Sequence, residues 1–189
     1  MDQFGYLSVL LSIIVGLAIT QLLQGFRGMV LSRSRIRLYA PTVTWTVTLL
    51  LIAVQSWWAM FGLRDRARWT FLEFAVVLLQ MILLYMLAAL VLPDFSGDEK
   101  EIDLKQHYYQ HRHVFFGVAI ANTLVSLGKD VILTGHLPDA ANVRFHLVFI
   151  VTAAAAMITA REWYHRLLAP ALLLVFCFYV GLLFTQLRG

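Results

Sequence analysis

Only one cysteine, Cys177, stands in the 189 residues, and it lies inside an apolar run. No intrachain disulfide and no cysteine-based metal site can be built from it, so it reads as a small core hydrophobe. Charge is equally scarce. Asp, Glu, Lys and Arg make up 14% of the chain, against roughly 25% in soluble domains, too few to solvate the surface of a globular fold of this size. There is no glycine-rich nucleotide loop and no His-Glu-x-x-His, and no serine stands near His and Asp at a spacing that argues for a nucleophile. The chain is not expected to be an enzyme, and no cofactor is implied. The opening residues MDQF carry no basic n-region and no small-residue cleavage site follows, so the first apolar run is expected to be kept as a span.

What the chain does contain is apolar length. Sixty per cent of its residues are hydrophobic and its mean hydropathy is +0.76, which points to an all-α integral membrane protein forming one bundle. Six spans are expected, at about residues 5–28, 41–63, 69–92, 114–134, 142–160 and 167–187, each near the length needed to cross a bilayer. The surplus of four positive charges sits at span ends, where lipid headgroups and topology account for it, so the bilayer and not nucleic acid is the expected partner. Pro41 suits a first helical turn. Thr42, Thr44, Thr46 and Thr48 alternate like a strand, but the run is too long for one, and a lone strand cannot satisfy its backbone in lipid.

The hydrophilic loop 93–113 is the only long one. Ser96 and Glu99 have capping-box spacing, which predicts a helix from about Gly97 running into span 4. Nine Lys and Arg residues fall on the side of the loops after spans 1, 3 and 5, and six on the other. This asymmetry places both termini outside the cytoplasm, with a bacterial cytoplasmic membrane as the expected location.

In span 1, Ser8, Ser12, Gly16, Thr20, Gln24 and Gly28 recur every four residues and share one helix face. Such a stripe lets another backbone approach closely, so Ser8, Ser12, Gly16 and Thr20 read as a packing seam. At an offset of 103, Val15, Ala18, Thr20 and Gly25 fall on Val118, Ala121, Thr123 and Gly128. An offset of 100 lays span 2 on span 5. These matches suggest two inverted three-helix repeats, with spans 1 and 4 touching across the bundle axis.

Ionisable groups inside lipid are costly and usually face the bundle interior. Glu73, Lys129, Asp130 and His146 all fall in the leaflet of the N-terminus, where Glu73–Lys129 or Asp130–His146 pairs could line a vestibule; the plainer expectation is snorkelling and solvation at the interface. Gln80 and Asn122 lie deeper, near the middle of their helices, as pore-lining groups or interhelical hydrogen-bond partners. Gln21 and Gln24 serve the opposite leaflet. His107 and His111 have the i, i+4 spacing of metal ligands, but they also suit an interfacial helix. A haem would need histidines facing each other within the bundle, and only His146 lies inside an expected span.

Six spans in two inverted halves resemble the aquaporins and the formate/nitrite channels in number. No Asn-Pro-Ala occurs, however, and Leu11-Ser12-Ile13 lacks the acid of the Phe-Ser-Asp carried by six-span potassium channels, so no functional residue carries over. The function expected from the residues is a homo-oligomeric channel or transporter for an ion or small solute, lined by Glu73, Gln80, Asn122, Lys129, Asp130 and His146. The alternative is a membrane sensor or anchor that binds a cytoplasmic protein partner through the 96–113 helix.

Overall fold

A computed structural model describes residues 3–66, 68–95 and 101–183. Six helices carry the chain: α1 (Gln3–Leu31), α2 (Ala40–Met60), α3 (Phe71–Leu90), α4 (Leu104–Thr134), α5 (Ala140–Ile158) and α6 (Glu162–Leu183). All six are long and apolar enough to cross a membrane. Two short strands, β1 (Ile36–Arg37) and β2 (Ile102–Asp103), pair in parallel. The face that holds them is called the strand face below, and the face that holds the start of α1 the amino-terminal face.

Local chemistry sets the helix ends. Thr70 and Glu73 form a reciprocal capping box at the start of α3, and Asp139 accepts from two backbone N–H groups at the start of α5. Gly135 ends α4 in the left-handed conformation, at φ 79°. The threonine alternation is helical: Thr44, Thr46 and Thr48 each donate to the carbonyl four residues back, at 2.8–2.9 Å.

The capping box expected at Ser96 and Glu99 lies outside the described residues. Residues 101–103 are extended, and the helix begins at Leu104, where Asp103 accepts from the N–H groups of Lys105 and Gln106. At about 1.5 Å per residue α4 is about 46 Å long, longer than the roughly 30 Å of a bilayer's hydrocarbon core. The start of α6 is likewise earlier than expected, at Glu162 and not near 167.

In the bundle, α3 lies between α1 and α4, α4 lies between α3 and α5, and α2 packs on α6 and α1. Two expectations fail on this arrangement. Spans 1 and 4 are not a main helix pair, since each packs chiefly on α3 or its own neighbours. The helix neighbours also do not repeat: α1 packs along α3, whereas α6, the counterpart of α3, packs chiefly along α2.

The seam faces outward as well. Leu11, Val15, Ala18 and Leu22 are the buried face of α1, while Ser12, Gly16 and Thr20 are exposed and Ser8, half-buried, bonds to the Gly5 carbonyl. A Cβ at Gly16 would meet nothing. Apolar residues won the inner face, and in a membrane helix they look the same whether they face protein or lipid tails.

The close approach on α1 is lower down, at Gly25 and Gly28. A Cβ at Gly28 would overlap the Phe95 ring and stand 2.9 Å from the Phe95 Cβ, whereas at Gly25 it would meet only the mobile tip of Leu92 closely. Gly28→Ala is therefore expected to destabilise the fold by about 1–3 kcal/mol, and Gly25→Ala by less than about 1 kcal/mol. Thermal unfolding of the detergent-solubilised variants checks this, and equal melting temperatures would refute the distinction.

Candidate functional site

Buried and half-buried polar side chains from five helices meet in one cleft. Its vestibule, about 330 Å³, lies at the amino-terminal face between the ends of α2 and α4, and is lined by Arg66, Gln80, Lys129, Asp130, Asn142 and Tyr179 among others. A deeper recess of about 100 Å³ shares Gln55, Ser56, Gln80, Ser126 and Tyr179 with it, and adds Asn122, His146 and the rings of Phe145, Phe149 and Phe176. Either volume holds several waters.

The floor is built by helix period. Asn122 and Ser126 are four residues apart on α4, so they share a face. The His146 ring bridges from α5: Nδ1–H donates to the Asn142 carbonyl at 2.9 Å, which leaves Nε2 of the neutral ring to accept from the Ser126 hydroxyl at 3.2 Å. From α6 the Tyr179 hydroxyl donates to Asn142 Oδ1 at 3.4 Å. Gln80 and Asn122 are different. Gln80 Oε1 and Asn122 Oδ1 are buried with no hydrogen-bond partner among the described residues, and amides left in that state are costly.

The vestibule is held by Arg66, from the α2–α3 loop. It pairs with Glu73 through Nη2, and its Nη1 donates to the Leu133 carbonyl at 2.6 Å, tying that loop to the end of α4. Lys129 and Asp130 stand 3.8 Å apart, beyond hydrogen-bond reach.

Five of the six expected lining residues, Gln80, Asn122, Lys129, Asp130 and His146, therefore line one site. Glu73 does not. Its carboxylate accepts from the Thr70 N–H and hydroxyl and from Arg66, so it shapes the mouth indirectly. Neither expected pair forms: Glu73 takes Arg66 in place of Lys129, and His146 takes Ser126 in place of Asp130. Gln55, Arg66, Asn142 and Tyr179 were not singled out from the sequence. Gln55 and Ser56 do interrupt an apolar run, and that was the available signal.

Closer to the strand face lies a layer of packed rings that does not itself line the cleft. Trp45 of α2 packs edge-on against Phe115 and Phe116 of α4 at 5.6 and 5.7 Å. Phe116 is fully buried and lies 6.0 Å from the equally buried His165. His165 sits inside α6, so His146 is not alone within the spans. It accepts from the Tyr108 hydroxyl at Nδ1, 2.9 Å, and donates from Nε2 to the Thr159 carbonyl, 2.8 Å. Beside them Tyr39, just ahead of α2, bonds to Tyr109 across 3.2 Å. Burial, reinforced by that contact, pushes the Tyr39 phenol well above its ordinary value.

His107 and His111 lie apart from the cleft. Their rings are 4.4 Å apart, but His107 Nε2 is 3.1 Å from the Leu90 carbonyl and His111 Nδ1 is 3.0 Å from that of His107. No third His, Cys, Asp or Glu joins them among the described residues. The described part of the expected partner-binding helix packs inward too: Leu104 and Tyr108 are buried, and Lys105 pairs with Glu162 at 2.6 Å.

The fold and site thus define a class: a helical protein whose six helices suit a membrane and hold a polar cleft between them. Comparison with known protein families, with curated proteins and with solved structures finds no match to this chain.

Proposed function

We propose that this chain is an integral membrane carrier for a small polar solute, with the cleft as its binding site. The observation that carries this reading is the course of the cleft, which leads polar groups from the amino-terminal face to Gln80, midway along α3, whereas nearer the strand face the rings of Trp45, Phe115 and Phe116 pack against one another. An open channel needs its polar path to continue to the other face. A carrier with alternating access has one side closed at a time, with its site near the midplane. Gln80 and Asn122, whose amide oxygens lack partners, are the groups with most to gain from a solute. On the Lys and Arg asymmetry we place the open face outside the cytoplasm. One chain supplies all the residues that line the cleft, so this reading does not require a homo-oligomer.

The test is uptake of radiolabelled urea, glycerol or glycine into liposomes holding the purified protein. At least one is expected to enter about tenfold faster than into empty vesicles, a difference of about 1.4 kcal/mol in barrier. Asn122→Leu, which fills the recess with an apolar side chain, is expected to return that rate to the baseline. Rates equal to those of empty vesicles for all three solutes, or an Asn122→Leu variant as fast as the parent, would show that the cleft is not a transport site.

A further inference from the structure

The charges of the vestibule select among small solutes. Three residues with full charges line it: Arg66, Lys129 and Asp130. Arg66 is already engaged by Glu73 and by the Leu133 carbonyl. Lys129 and Asp130 are not engaged in this way. At 3.8 Å they attract one another without a hydrogen bond, and their side chains remain 21% and 27% exposed, toward the vestibule they line. Neither has a closer polar side-chain partner among the described residues. A lysine and an aspartate inside a spanning helix, each with hydrogen-bonding capacity turned to a cavity, mark a place where charge is received.

Resting on the reading of the cleft as a solute site, we propose that its ligand is a small zwitterion of the α-amino acid class, with its carboxylate on Lys129 and its ammonium on Asp130. The sign balance is the reason. An inorganic cation drawn to Asp130 is repelled by the Lys129 ammonium beside it, and an anion drawn to Lys129 is repelled by Asp130, so either gains little. A zwitterion satisfies both charges at once, because an α-amino acid carries its two charges on one carbon, a separation comparable with that of the pair. The His146 ring is spent on Asn142 and Ser126, so it adds no third charge as a neutral imidazole. The recess beneath, with the rings of Phe145, Phe149 and Phe176 and the amides of Gln80 and Asn122, takes the side chain, and at about 100 Å³ it keeps that side chain small.

The test is thermal unfolding of the detergent-purified protein, followed by tryptophan fluorescence, with glycine, alanine, tetramethylammonium, methanesulfonate or urea added. Glycine or alanine is expected to raise the melting temperature saturably, because a ligand bound to the folded state stabilises it by mass action. The permanent cation, the permanent anion and urea are expected not to do so at the same concentration. Lys129→Met and Asp130→Asn are each expected to weaken the glycine response about tenfold, near the 1.4 kcal/mol such a factor represents, while Lys129→Arg retains it.

No response to glycine or alanine overturns the proposal, as does an equal response to tetramethylammonium or methanesulfonate, or an unchanged glycine response in both neutral variants. The comparison on the unaltered protein needs no variant to fold. The outcome also separates the two readings. Glycine that stabilises the protein while no solute crosses the liposomes leaves the zwitterion site standing and removes the carrier. Urea or glycerol that crosses while glycine and alanine have no effect does the reverse.

Discussion

Phe116→Ala is expected to lower the unfolding free energy by about 3 kcal/mol and to let small solutes leak between the cleft and the strand face. Phe116 is fully buried, and its ring is shared by Trp45 of α2, Tyr108 and Phe115 of α4 and His165 of α6. Truncation leaves a cavity walled by rigid rings that cannot close in on it, and Phe→Ala in such places costs about 3–5 kcal/mol in soluble cores. The lower end applies because lipid tails, not water, are the competing surroundings of a membrane helix. Leu174→Ala is the control, since Leu174 of α6 is 70% exposed and its loss should change melting by little. Thermal unfolding and glycerol entry into liposomes measure the two effects. A Phe116→Ala variant as stable and as tight as the Leu174→Ala variant would mean that the rings are not the seal.

His165→Phe is expected to cost about 2–5 kcal/mol although it keeps the ring volume. The imidazole joins the Tyr108 hydroxyl to the Thr159 carbonyl, and phenylalanine offers neither an acceptor nor a donor. A buried polar group left without a partner costs about 1–3 kcal/mol, and here the buried Tyr108 hydroxyl and the half-buried Thr159 carbonyl both lose theirs. His165→Gln, which carries an acceptor and a donor on one amide, should recover part of the loss. Tyr108→Phe removes only the hydroxyl and should cost less than His165→Phe. If His165→Phe melted with the parent protein, the two hydrogen bonds would not be holding α6 to α4 and to the end of α5.

Both expectations rest on a layer that is hard to read in the chain. His165 stands in TAREWYHR, a stretch polar enough to pass for a turn. Tertiary contacts decide otherwise: Lys105 and Arg166 pair with Glu162, Tyr108 receives the imidazole, and the first turn of α6 becomes helical earlier than its hydropathy suggests. The same holds for the start of α4. Composition marked the 93–113 loop as hydrophilic, yet Leu104 and Tyr108 are buried, and Asp103 caps the helix.

The candidate site was legible in part. Gln80, Asn122, Lys129, Asp130 and His146 stand out because polar groups are rare in apolar runs, and counting turns from the helix ends put four of the charged or titratable candidates in one leaflet. Their partners were not legible. Glu73 has Thr70 three residues before it and could have been read as a cap, whereas its link to Arg66 depends on how the α2–α3 loop folds back. Asn142 and Tyr179 join the floor because α5 and α6 turn those faces inward, which no spacing within either helix states.

The number of spanning helices, their approximate limits and the depth of each polar residue follow from the sequence alone, because apolar length and the 3.6-residue period act within one segment. The rotation of each helix about its axis, the order of helices around the cleft and the pairing of Arg66 with Glu73 are decided by the tertiary structure. The reason is the surroundings. In water an apolar stripe reveals which face is inward, but in a bilayer a leucine is equally at ease against lipid and against protein. The small-residue ladder of α1 therefore looked like an inner seam, while Leu11, Val15, Ala18 and Leu22 took that place.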